Sequence, residues 1–307
     1  MELRNLRSLI TLVENGFSVS RAAEQLYLVQ PAVSQHIRHM EDELGVQLFV
    51  RNGKRLTGLT KVGEQVVQYA RKALAETHNI LDVGRDHVEQ SSGVLRIGTT
   101  HTQARYVLPP VIKVFNKTYP EVELQIHQGT PQQLVEMALH DLVDLSICTE
   151  NLAEHPQLTA VPCYKWNRSL IVQSGHPLLK LRRLTLKALC NYPIITYVFG
   201  FTGRGHFSDT FAKHGLKPRV VLSAADTDVI KTYVREGMGV GIIASLAYTP
   251  EQDHDLVMHD LSNLFPLEVT KIAYLKGKYL RRYQQRFIEL FQDCVSEPGR
   301  WSGLLPV

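Results

Sequence analysis

Residues 60–90 contain no proline, and their apolar and small side chains recur every seven residues. The series are Val66, Ala73 and Ile80, then Val67, Leu74, Leu81 and Val88, then Ala70, Thr77 and Gly84. Three interleaved heptad series describe one face of a single long helix. At roughly 1.5 Å per residue, that helix spans about 45 Å. Such a rod cannot bury its stripe against the short segment that precedes it. The spacing therefore predicts separate folding units on either side, with a partner helix from a second subunit on the stripe. Packing against its own chain is the alternative. The "QSSG" at 90–93 reads as a flexible boundary.

Ahead of this helix, Leu3, Leu6, Leu9, Ile10 and Val13 fall at helical spacing, and Gly16 ends the pattern. Ser18 or Ser20 can cap a second helix that buries Ala22, Ala23 and Leu26. A third helix opens with Gln30 and Pro31; proline suits a first turn because its missing N–H costs nothing there. Its apolar stripe is Val33, Ile37, Met40 and Leu44, while Ser34, Gln35 and Arg38 point away. Two short helices with small residues at their crossing, a tight turn and a polar second helix make a helix-turn-helix. "LFVRNGKRLTGLT" follows as a β-hairpin wing turning at Asn52-Gly53, with Arg51, Lys54 and Arg55 at its tip. Ser20, Gln30, Pro31, Ser34, Gln35 and Arg38 are candidates for base and phosphate contacts, and the wing cations for the DNA backbone. A generic three-helix bundle with a solvated basic loop is the competing reading. Charge does not choose: over residues 1–58, seven Lys/Arg face six Asp/Glu.

From Val94 onward, strands and helices alternate. "VLRIGT", "VELQIHQG" and "VDLSIC" read as strands, with helices over 104–118 and 131–140 between them. The alternation restarts with "SLIVQS", "PIITY", "RVVLS" and "GVGIIAS", with helices near 185–190, 203–214 and 227–236. The strand "VTKIAYL" and a helix over 279–293 close the pattern. Repeated βα units build sheets covered by helices. Two such halves leave a cleft, and ligands in these folds sit beyond the carboxyl ends of strands.

Neutral donors crowd those ends. Thr100, Thr102 and Gln103 follow the first strand, Thr149 follows "VDLSIC", and Thr202 lies in "FGFTGRGHF". Helix N-termini nearby carry partial positive charge, so this chemistry holds a small anion without a counter-charge. Ordinary N-capping explains any one threonine alone; their joint placement at several strand ends favours a shared ligand. No nucleophile or carboxylate is legible beside His101, so a solvent-facing or backbone-bonded histidine is expected. The glycines of "GFTGRG" and "GMGVG" fit neither a phosphate-binding loop nor a dinucleotide fingerprint.

The four cysteines are scattered and the thirteen histidines lack metal-ligand spacing. Buried reduced thiols are expected, and no metal, cofactor or catalytic residue. A net charge of +4 permits nucleic acid without demanding it. Neither a signal peptide nor a long apolar run is apparent, so the expected address is cytoplasmic, with no membrane partner.

"SRAAEQLYLVQPAVSQHIRHMEDELGVQLFVR" resembles the helix-turn-helix of the LysR-type transcriptional regulators. It differs at Val29, where the family often has Ser or Thr. "TTHTQARYVLP", "HQGTP", "PCYKWNR", "TYVFGFTGR" and "DTDVIKTYVREGMGVGIIAS" resemble its CysB-like branch, which governs cysteine and sulfur-assimilation genes. The resemblance implies a winged helix-turn-helix domain over 1–59 and a dimerising linker helix over 60–90. An α/β two-lobed, periplasmic-binding-protein-like effector domain over 91–307 follows. Lobe I would take about 91–163 and 268–293, lobe II about 164–267. It also implies that Thr100, Thr102, Gln103, Thr149 and Thr202 contact an acetylserine-type inducer or an anion such as sulfate or thiosulfate, with Trp166 near the cleft. Double-stranded promoter DNA, a homotetramer of linker-helix dimers and RNA polymerase are the implied partners. An anion solute-binding protein and an enzyme using the same cleft are the alternatives; the N-terminal head opposes the first, and the absence of a visible acid–base pair opposes the second.

Overall fold

A computed structural model of the chain describes residues 1–53, 55–88, 91–198, 204–296 and 304–306. It divides into two compact units, Met1–Val88 and Glu89–Val307.

The first unit holds α1 (Leu3–Glu14), α2 (Val19–Gln25), α3 (Gln30–Leu44), the antiparallel pair β1 (Phe49–Asn52) and β2 (Arg55–Leu59), and α4 (Lys61–Val88). Ser18 caps α2, its side chain accepting from Arg21 N–H. Gly45 ends α3 at φ +67°, a left-handed angle that suits glycine. Leu9, Leu12, Ala22, Ala23, Val33, Ile37, Met40 and Leu48 make the core. Fully buried Ala22 and nearly buried Ala23 let α2 and α3 approach closely. Gly63 does the same for α4: a Cβ there would lie 2.0 Å from the Leu48 carbonyl oxygen. Only the first turns of α4 join this core, through Val67 and Ala70. Ile80, Leu81, Val83 and Val88 of the heptad face and its flank are exposed.

The second unit carries two sheets. Its strands and helices run β3 (Ser92–Thr99), α5 (Leu108–Thr118), β4 (Glu121–Gln128), α6 (Pro131–Leu139), β5 (Leu145–Cys148), β6 (Leu158–Trp166), β7 (Arg168–Gln173), α7 (Leu186–Cys190), β8 (Ile194–Tyr197) and α8 (Arg204–Lys213). They continue with β9 (Val220–Ala224), α9 (Thr227–Arg235), β10 (Val240–Ala244), β11 (Leu256–Asp260), β12 (Glu268–Leu275), α10 (Arg282–Ser296) and β13 (Leu304–Pro306). One sheet has the order β13-β6-β12-β5-β3-β4, the other β11-β7-β10-β8-β9. The chain steps from the first sheet to the second between Trp166 and Arg168, and returns between Asp260 and Glu268.

The sheets are mixed rather than parallel. β3 runs parallel to β4 and β5, and β8 parallel to β9 and β10, as βα alternation predicts. β12 runs antiparallel to both β5 and β6, and β7 antiparallel to β10 and β11. β6 and β11 were not expected as strands. Pro162 interrupts the apolar pattern of β6, and the β6–β12 register shifts at Thr270/Lys271, opposite it. β6 stays in the first sheet to Trp166, and β7 opens in the second at Arg168. The helix expected at 104–118 is a π-helical turn, Gln103–Val107, followed by α5. Cys148, Cys163 and Cys294 are buried free thiols and Cys190 is half-buried.

Candidate nucleic-acid interface and effector cavity

In the first unit, Gln30, Pro31, Gln35 and Arg38 are exposed along α3, opposite Val33, Ile37 and Met40. Ser34 is half-buried on that helix, and Ser20 is exposed on α2. Arg55 is exposed on the wing. Lys54 lies outside the described residues. Arg51 differs from the expectation of a free wing cation. Its Nη2 binds Glu41 Oε2 at 2.6 Å, and the other oxygen of Glu41 accepts Leu48 N–H at 2.8 Å. Glu41 is 4% exposed, so one acid on α3 holds both the approach to the wing and its first arginine. A contact between residues ten apart across a turn has no local signal in the sequence.

In the second unit, β3 ends at Thr99, whose hydroxyl is tied to the Ile147 carbonyl at 3.1 Å. The chain then delivers Thr100, Thr102 and Gln103 to a small cavity. Thr149 and Glu150 reach the cavity from the end of β5, Trp166 from the end of β6, and Ala244 and Leu246 from the end of β10 in the other sheet. Five of the six expected effector residues therefore line one space. The sixth, Thr202, lies outside the described residues. The enclosed space has room for about one water molecule.

The wall is a connected network. Tyr164 donates to Gln103 Oε1 at 2.6 Å, and Gln103 Nε2 donates to Thr270 Oγ1 at 3.4 Å. Thr270 and Thr149 hydroxyls meet at 3.3 Å, and the Trp166 indole N–H donates to Thr149 at 3.3 Å. Tyr164 and Thr270 are fully buried. Sequence reading missed both: they lie on β6 and β12, whose antiparallel pairing sets them opposite each other. Behind Trp166 lies a buried ion pair, Arg168 to Glu268 at 2.7 Å, and His206 Nδ1 also meets Glu268 at 2.9 Å. The Arg168 guanidinium sits 5.4 Å from the Trp166 ring centre.

His101 is neither simply solvent-facing nor backbone-bonded, as the sequence suggests, but meets a carboxylate. Its Nε2 lies 3.1 Å from Asp228 Oδ2 on α9. Arg105 Nε meets the same oxygen at 2.8 Å, and the Tyr106 hydroxyl donates to Oδ1 at 2.6 Å. Burial alone would raise the Asp228 carboxyl, but bonds from Tyr106 and His101 and the charges of Arg105 and Lys231 hold it below its ordinary value. Lys231, buried beside Tyr106, pairs with Asp253 at 2.6 Å.

A polar helix set against a basic wing, joined by a long helix to a two-sheet unit with a donor-lined cavity, defines a ligand-responsive DNA-binding regulator. Residues 3–64 match the bacterial regulatory helix-turn-helix protein family, lysR type, and residues 89–295 match the LysR substrate binding domain. The chain belongs to the LysR family of transcriptional regulators, which are not enzymes.

The chain is 44% identical over 305 residues to the HTH-type transcriptional regulator SsuR of Burkholderia cenocepacia, covering 99% of each chain. It is 44% identical to CysB of Haemophilus influenzae, over 96% of this chain and 91% of that one. A crystal structure of the cofactor-binding domain of the Cbl regulator shares 43% identity at a TM-score of 0.65, covering 66% of this chain and 89% of that one. A full-length OxyR variant from Pseudomonas aeruginosa shares the fold at a TM-score of 0.67 and 23% identity, over 95% and 97% of the two chains. No helix among the described residues is long and apolar enough to cross a membrane.

Proposed function

We propose that this regulator controls sulfur-assimilation genes in response to a small anionic or acetylserine-type effector held in the cavity of the second unit. The observation that carries the reading is the convergence of Thr100, Thr102, Gln103, Thr149 and Trp166 on one space closed by Ala244 and Leu246 of the other sheet. Hydroxyl, amide and indole dipoles suit an oxyanion such as sulfate or thiosulfate, which then needs no buried counter-charge. The space is too small for any of these ligands, so binding separates the two sheets locally. That movement shifts the balance between conformations of the unit and reaches the DNA through the linker helix.

Gln30, Pro31, Ser34, Gln35 and Arg38 read the operator in this account, with Ser20, Arg51, Lys54 and Arg55 on its phosphates; Arg51 first exchanges Glu41 for phosphate. The exposed apolar residues of α4 pair with a second copy, two dimers form the tetramer, and the bound assembly engages RNA polymerase in the cytoplasm. Calorimetry of the full chain with sulfate, thiosulfate, O-acetylserine and N-acetylserine tests the cavity. Footprinting on a target promoter with and without the ligand that binds tests the coupling. No heat from any of the four, or identical footprints at saturating ligand, defeats the reading.

A further inference from the structure

Glu150 is the one ionisable side chain among the described residues that line the cavity. Its neighbours on the wall are hydroxyls, an amide, an indole and two apolar side chains. Among the described lining residues, the charge of the wall is therefore the charge of Glu150. An ionised carboxylate beside a bound oxyanion would repel it at close range in a poorly solvated space. A neutral carboxylic acid would instead supply an O–H donor, the same service that the threonines give.

Building on the anion reading above, we propose that Glu150 is a specificity-determining residue of the cavity, binding the oxyanion as a neutral acid and making effector binding proton-coupled. Where Glu150 is ionised before the ligand arrives, one proton enters from solvent with the anion. The carboxyl then donates that proton in a hydrogen bond to an anion oxygen, and no covalent bond to the anion forms.

The surroundings support this. Glu150 follows β5 and its carbonyl accepts the buried Cys148 thiol at 3.2 Å. Glu268 on β12 presents a second carboxylate, already engaged by Arg168 of β7 and by His206 of α8. Lys271, also on β12, contributes the remaining nearby positive charge. Burial first, and the Glu268 charge second, push Glu150 up to about 8, against the opposing effects of its own backbone, Arg168 and Lys271. At neutral pH Glu150 is thus mostly the neutral acid. Above that value Glu150 ionises, and the anion must compete with a fixed negative charge.

The sign follows directly. Sulfate stays a dianion across this range, and burial lifts the nearby Cys148 thiol well above it. Affinity is full below about pH 8 and falls tenfold per unit above it, so binding at pH 9.5 should be about 30-fold weaker than at pH 7. Calorimetry of the full chain with sulfate, at constant ionic strength, measures this. Repeating the titration at pH 9 in two buffers of different ionisation enthalpy should show uptake of close to one proton. Glu150→Gln, which keeps an N–H donor without the charge, should bind sulfate with a flat profile over the same range. A flat profile in the unsubstituted protein, tighter binding at high pH, no proton uptake at pH 9, or an unchanged fall in Glu150→Gln overturns the proposal while leaving the cavity reading intact. If neither protein binds sulfate or thiosulfate at any pH, the cavity's role as an oxyanion site fails, and this inference with it.

Discussion

The Tyr106 hydroxyl donates to Asp228 Oδ1 at 2.6 Å, joining the π-helical turn of one sheet's domain to the first turn of α9 on the other. His101 and Arg105 close on the second oxygen, so three residues of a six-residue stretch grip one carboxylate. That stretch contains Thr102 and Gln103, two of the cavity's donors. Asp228 thereby holds the turn that carries Thr102 and Gln103 without lining the cavity itself.

Asp228→Asn should retain the Tyr106 contact but lose the charge that Arg105 answers. Because Asp228 is more than a third exposed, we expect a loss of only about 1 kcal/mol, lowering Tm by about 2–4 °C. Scanning calorimetry checks this, and hydrogen exchange over 101–107 should quicken in parallel. An unchanged Tm with unchanged exchange would show that the clasp carries no load.

Thr102→Ala should weaken the preferred effector by about 1–3 kcal/mol, since a desolvated ligand oxygen would lose its partner. Thr102 is 3% exposed, so water does not readily replace the hydroxyl. Equal dissociation constants for the two proteins, by titration calorimetry, would remove Thr102 from the binding set.

Glu41→Ala strands the Leu48 N–H and leaves Arg51 without its partner. Losing a buried acceptor of this kind costs about 1–3 kcal/mol. Denaturant unfolding followed by a probe in the first unit should show that loss, and salt-dependent DNA binding should change as well. Stability within error of the unsubstituted protein would contradict the arrangement.

Asp144 reports on acid stability. Burial alone would raise it, but Arg96 at 2.9 Å and Lys278 at 2.8 Å hold it below its ordinary value. Its contribution is present in full above the unfolded carboxyl value of about 3.9 and is lost as pH falls through the lower folded value. Asp144→Asn should therefore reduce stability at neutral pH and flatten the acid limb of the stability profile. Parallel profiles for the two proteins from pH 7 to pH 2 would refute this.

Local chemistry announced much of the fold. Ala22 and Ala23 mark a helix crossing, Pro31 a helix start and Gly16 a helix stop by their own conformational needs, and the threonines at strand ends pointed to the cavity before any coordinates. What stayed hidden was pairing across the chain. β6 carries Pro162 in its middle and lacks a clean alternation, yet β12 holds it along its length. Tyr164 and Thr270 join the cavity network only through that pairing. Glu150 gives no signal in the sequence because its proton affinity is set by burial and by Glu268, far away in the chain. The π-helical turn at Gln103–Val107 is likewise bonded to residues far away in the chain, Asp228 on one side and Thr270 and Tyr164 on the other.

Trp166 is the last residue of β6 in one sheet and Arg168 the first of β7 in the other, with Asn167 alone between them. A joint one residue long stores no slack, so swinging either sheet must twist the Asn167 backbone, whose carbonyl is already fastened by Ser245. The indole that a ligand would press stands immediately beside this pivot. Rotation about such a joint moves the atoms beside it little and those at the far rim of a sheet most, so the indole sits where the two sheets shift least against each other.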